Sequence, residues 1–234
     1  MASRLFTLLL TGLISLATVE AADIEGNIII KRRLTKRRVT TPANSYDRGV
    51  SVELRADSEA DPLAKERTHV VIYLEGQFPS APVTATLEQK NRRFFPDTLI
   101  VPVGSTVSFP NNDPIFHNVF SLSSPKGFDL GNYSKGSTRT VTFSKPGIVF
   151  INCHLHPNMS AVIVISPNQW STKPDEAGHF TLANVPPGKY TVVAWHKTAG
   201  FFRETIKVGE GRANLVQFSI PLEADESGKE MARR

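Results

Sequence analysis

VFINCHLHPNMSAVIVI, residues 149–165, sets the only cysteine of the chain beside two histidines and a methionine, between two apolar runs. VFIN and AVIVI are short and rich in β-branched residues, so each reads as a strand and CHLHPNMS as the loop joining them. The same signature recurs in NIIIKR, HVVIYLEG, TLIVPVGSTVSF, STRTVTF, KYTVVAW and NLVQFSI, and the 234 residues include 16 Pro and 15 Gly. Beyond the first 21 residues no segment keeps a helical apolar period for more than about two turns. The expected fold class is all-β, with few and short helices.

The N-terminus, MASRLFTLLLTGLISLATVEAAD, has Arg4 ahead of an apolar run and small residues before Ala22. This pattern predicts a secretory signal peptide over 1–21 and a periplasmic or secreted protein. The run is too short to cross a bilayer core, so no integral membrane segment is expected. In an oxidising compartment Cys153 has no internal partner for a disulfide, which leaves packing or chemistry as its role. Net charge is +5, and the basic run KRRLTKRR at 31–38 lacks interleaved aromatics. It reads as a solvated loop or a patch for an acidic partner, not as a nucleic-acid site.

Cys153, His156 and Met159 have the spacing C-x2-H-x2-M. A thiolate, an imidazole and a thioether on one loop are a soft set suited to copper, and a second histidine would complete a His2Cys site with a weak axial Met. His69, His117 and His154 are available in sequence. His117 is best placed, in VSFPNNDPIFHNVFSL, where it follows a turn-forming Asn-Asn-Asp-Pro cluster and begins a strand. His154 offers an alternative nitrogen, although neighbours in extended chain point to opposite faces, which favours His156.

FPNNDPIFHNVFS followed by C-x2-H-P-x-M resembles the cupredoxins over roughly residues 83–166, with a ligand loop of amicyanin-like length, shorter than in pseudoazurin or plastocyanin. The resemblance implies a Greek-key β-sandwich holding one type 1 (blue) copper ion by His117, Cys153, His156 and axial Met159. Asn118 would tie the two ligand loops together, and His154 departs from the family at the position after the cysteine. The implied function is one-electron transfer without catalysis, with a cytochrome c or an oxidoreductase as redox partner. Pro157, Pro114 and Phe116 would frame the exposed edge of His156.

TKPDEAGHFTLANVPPGKYTVVAWH resembles the carboxypeptidase regulatory-like domain, a transthyretin-like β-sandwich. Pro187 and Gly188 suit a type II turn with positive φ at the glycine. With IEGNIII and HVVIYLEG as its earlier strands, this unit would be discontinuous over 22–79 and 167–222, with the cupredoxin domain, 80–166, inserted; extra strands on one enlarged sandwich are the alternative. Residues 40–68 read as a loop region and 223–234 as a flexible tail. Two other functions fit the residues: a periplasmic copper donor, or a β-sandwich binding module with a copper-stabilised insert. Trp170, Trp195, Phe201 and Phe202 would serve the module if exposed. His179 and His196 are expected to be ordinary strand histidines.

Overall fold

The computed structural model describes residues 21–32, 34, 61, 63–209 and 214–220. All but the last residue of the expected signal peptide, most of KRRLTKRR, the greater part of the 40–68 segment and residues 223–234 lie outside the described residues. Within them the chain is nearly all β, as expected. No described helix is long and apolar enough to cross a membrane.

Alternating residues of IEGNIII build the first core. In one sheet β1 (Ala22–Ile30) runs between β14 (His179–Val185), antiparallel, and β17 (Asn214–Ile220), parallel. It turns Ile24, Ile28 and Ile30 inward, while Gly26 leaves room for the Phe180 ring and the Val216 carbonyl. The facing sheet has the order β13 (Ser171–Thr172), β2 (Val71–Glu75), β15 (Gly188–His196), β16 (Gly200–Val208). Its Ile72, Leu74, Val192 and Ala194 close this core with Trp170 and Phe218.

A second core lies between two further sheets. One has the order β6 (Thr98–Pro102), β12 (Ser160–Ser166), β11 (Gly147–Asn152), β8 (His117–Ser123), β9 (Lys126–Tyr133). The other has β10 (Thr138–Thr142), β7 (Thr106–Pro110) and β3 (Thr84–Thr86). A hairpin of β4 (Glu88–Lys90) and β5 (Arg93–Phe95) stands beside them. Phe109, Phe143, Val149, Ile151, Ile163 and Met159 are buried here.

AVIVI is apolar at every position because β12 is covered on both faces. Ala161, Ile163 and Ile165 enter the second core, while Val162 and Val164 meet Val71 and Trp195 in a third cluster with Tyr73, Ile100 and Ile148. That cluster joins the middle two of four sheets, where strands buried on both sides lose the apolar–polar alternation. Buried Asn168 fastens the crossing point between the two halves. Its amide donates to the carbonyls of Leu74 and Gly76, at 2.9 and 3.1 Å, and its Oδ1 accepts the Trp170 N–H at 3.1 Å.

The structure corrects two expectations. Within 40–68, Ala64–Thr68 forms a helix, α1, after Asp61 accepts the Leu63 N–H at 2.9 Å. Gly188 is not among the residues with positive φ; it opens β15, and a Cβ there would stand 3.1 Å from the Tyr190 ring, so the glycine serves space instead of a type II turn. Trp170 and Trp195, 8% and 4% exposed, are packing residues of the core clusters.

Candidate metal centre

β8 and β11 are antiparallel neighbours joined at Phe120 and Asn152, so the start of one lies beside the end of the other. His117 opens β8 and Cys153 follows β11, and both therefore reach the same end of the sheet. Pro157 then turns the chain, with the His156 carbonyl accepting the Met159 N–H at 2.9 Å, before β12 begins. His117, Cys153 and Met159 are buried, and His156 is partly exposed.

Nδ1 of His117 lies 3.1 Å from Nδ1 of His156, which lies 3.7 Å from Cys153 Sγ. Bonds of about 2.0–2.1 Å to nitrogen and about 2.3 Å to sulfur, spread at about 100–120°, separate two nitrogens by about 3.1–3.6 Å and nitrogen from sulfur by about 3.3–3.8 Å. Both separations fit a single ion, and all three donor atoms lie within 4.8 Å of one another. Met159, the axial donor expected from the sequence, is 2% exposed in the second core.

Asp113 fixes the tautomer. His117 Nε2 is 2.7 Å from Asp113 Oδ2, so the ring donates its proton to the carboxylate and turns the Nδ1 lone pair toward the cluster, as metal-binding histidines do. The same carboxylate accepts the N–H groups of Asn91 at 2.6 Å and Arg92 at 2.8 Å. Burial alone raises the Asp113 carboxyl; the hydrogen bonds from Arg92, His117 and Asn91 outweigh it and hold the group below its ordinary value. Buried Asn111 sets the loop, donating to the carbonyls of Ile115 and Tyr133 and accepting the Asp113 N–H. Desolvation, then the charges of His117 and Arg92, lowers the His156 pKa, which favours its neutral ring.

Asn118 ties the two ligand segments. Its N–H donates to Cys153 Sγ at 3.4 Å, its Oδ1 accepts the His154 N–H at 3.4 Å, and its amide donates to Asp129 at 2.6 Å. The main chain of His154 thus makes the link to Asn118. Its side chain turns away, stacked on Phe120 with ring centres 3.7 Å apart and 3.5 Å from Asp129, so it does not join His117 and Cys153. Asp113 and Asp129 escaped the sequence reading. The signal for Asp113 was its position four residues before His117; Asp129 left none. Phe116 and Leu155 are exposed near the partly exposed His156.

Glu66, His69 and His196 form another group whose donor atoms lie within 4.8 Å of one another. Its hydrogen bonding does not suit a metal. Nδ1 of buried His196 accepts the N–H groups of Thr198 and Ala199, which leaves the ring proton on Nε2, 3.3 Å from Glu66 Oε2. The nitrogen facing the group therefore has no lone pair to give. His69 lies 3.1 Å from Asp97 and so bridges the two halves.

No protein-family model and no curated protein matches the chain. Among solved structures, the chain is similar to a Cu-containing nitrite reductase from Thermus scotoductus SA-01, at 28% identity and TM-score 0.33, over 38% of this chain and 23% of that one. It is also similar to a purple cupredoxin from Nitrosopumilus maritimus, at 24% identity and TM-score 0.33, over 35% of this chain and 99% of that one. A reduced amicyanin mutant, P94F, shares 22% identity at TM-score 0.33, over 41% of this chain and 98% of that one. The chain spans less than a quarter of the nitrite reductase.

Proposed function

We propose that this is an exported type 1 copper protein that carries single electrons between redox partners. The observation supporting it is the convergence of His117 Nδ1, His156 Nδ1 and Cys153 Sγ at the spacing of a single ion, with the His117 lone pair held in place by Asp113. Copper held by these residues and Met159 supplies one-electron chemistry, since soft sulfur and imidazole accommodate both of its oxidation states. The residues around it do the rest. Asp113 and Asn118 hold the ligand atoms still, the second core keeps water from the sulfur, and the edge of His156 gives an electron a route to the surface. Four protein donors leave no evident position for a substrate, so the reading is a carrier and not an enzyme.

The same reading assigns residues 80–166 to a cupredoxin unit inserted into a carboxypeptidase regulatory-like sandwich of 22–79 and 167–222. The two separate cores and the pairing of β1 with β17 and of β2 with β15 support that division. Titration of the purified protein with Cu(II), followed by absorption before and after ascorbate, tests the function. One equivalent should give an intense visible thiolate band that ascorbate bleaches and air restores. Cys153→Ser should fold and lack the band. A band that survives in Cys153→Ser removes the thiolate from the site, and irreversible loss of copper on reduction favours a copper donor.

A further inference from the structure

The turn between β4 and β5, Lys90-Asn91-Arg92-Arg93, projects three cations from the end of the molecule that holds the candidate centre, and all four residues are exposed. Asn91 and Arg92 have φ of 53° and 55°. Two left-handed residues in a two-residue hairpin turn call for Asn followed by Gly. Asn91 fits that rule. Arg92 does not: a long side chain occupies a conformation that glycine adopts without strain. Strain of this kind persists where the surroundings impose it and where function uses it.

Here the surroundings are Asp113, which takes the N–H groups of both turn residues and the ring N–H of His117. The Arg92 backbone is thus joined to a candidate ligand through one carboxylate. Lys135 adds a fourth cation from the 134–137 loop, whose Gly136 N–H donates to Asn111 at 2.8 Å. The nearby acids accept hydrogen bonds from neutral groups and keep their charge, three with Asp113 against the four cations. Glu88 accepts the Asn112 amide, and Asp129, across the β8–β9 edge, takes Asn118 and faces His154. Phe95, at the end of β5, and Phe116, beside His117, are 67% and 58% exposed.

We propose that the Lys90–Arg93 turn is the docking element for an acidic redox protein, and that Arg92 occupies a glycine conformation because its charge is needed at that rim. The proposal rests on the electron-carrier reading and names the partner of that site. A basic rim beside an electron exit raises the encounter rate with an anionic surface and orients it, an effect that salt screens. The β8–β9 side, with Asp129, would face away from the partner.

The test uses the full chain loaded with copper, reduced, and oxidised by hexacyanoferrate(III) or by tris(phenanthroline)cobalt(III). In each case one electron leaves Cu(I) to give Cu(II), and iron(III) or cobalt(III) becomes iron(II) or cobalt(II). The anion stands in for a partner's carboxylates. Arg92→Gly relieves the turn, so it should fold at least as well as the parent and keep the visible band. Its reaction with hexacyanoferrate should slow about tenfold at low ionic strength, with the deficit shrinking toward none at about 1 M salt. Its reaction with the cobalt cation should not slow. Lys90→Glu, which leaves both positive-φ residues in place, should act in the same direction. Equal slowing with both oxidants, or none with hexacyanoferrate, overturns the docking role. A parent protein that binds copper but exchanges electrons with neither oxidant overturns the carrier reading instead.

Discussion

At the scale of single residues, Asp113 spends one carboxylate on three donors, and only one of them belongs to a candidate ligand. It therefore positions His117 and closes the neighbouring hairpin at once. His117, Cys153 and His156, which the fold brings together, were legible in the sequence because their chemistry is in the side chain and their spacing survives folding. Asp113 looked like one more turn residue in NNDP, since its hydrogen bonds to Asn91 and Arg92 cross 20 residues or more of chain. The pairing of His154 with Phe120 and Asp129 was hidden for the same reason: the partners meet only once β8, β9 and the ligand loop are assembled. Met159 is the residue whose role is most open to measurement. Its side chain is buried in the second core, so packing alone would account for it. Met159→Leu keeps the volume, which cores tolerate at less than ~1.5 kcal/mol. If the sulfur is an axial donor, its loss disfavours the more highly charged oxidised state, and the reduction potential should rise by roughly 30–120 mV on a scale of 59 mV per tenfold. A redox titration of both proteins decides it, because an unchanged potential with intact colour makes Met159 a packing residue.

Elements differ in how much of themselves they show in sequence. β9, KGFDLGNY, and β16, GFFRETIKV, were not read as strands, because one has little β-branching and the other alternates charges on an exposed face. α1 is five residues long, too short for a helical period to register. What makes α1 form is tertiary: Glu66 is buried 3.3 Å from His196 on β15. Burial lowers the His196 pKa, with the nearby His69 adding to the effect and Glu66 opposing it. The unfolded chain therefore binds this proton more readily than the native one. Stability conferred by neutral His196 is full above the unfolded value, about 6.5, and is lost as pH falls through the lower native value. Denaturant midpoints taken between about pH 7.5 and 5 should decline more steeply for the parent than for His196→Gln. Parallel slopes would put the titration on another group.

For the whole molecule, the sequence pointed to two sandwiches but not to the way they meet. AVIVI was visible as an unbroken apolar run, yet a run of five cannot say whether both faces are covered by one domain or by two. The third cluster shows what covers the second face: Val162 and Val164 meet Val71 and Trp195. An excised 80–166 fragment keeps the second core and the four candidate ligands but uncovers Val162, Val164, Ile100 and Ile148. It should bind copper with the colour of the full chain and self-associate, as seen by light scattering; replacing Val162 and Val164 with Thr should return it to a monomer. A fragment that stays unfolded with metal would mean that the cores are not independent. The position of β12 has one more consequence. The ligand loop leaves one end of this strand and the crossing point fastened by Asn168 leaves the other, seven residues and roughly 20 Å away. In the electron-carrier reading, donor and acceptor would both meet the loop end and queue at one threshold, so turnover would be governed by how quickly the first visitor departs.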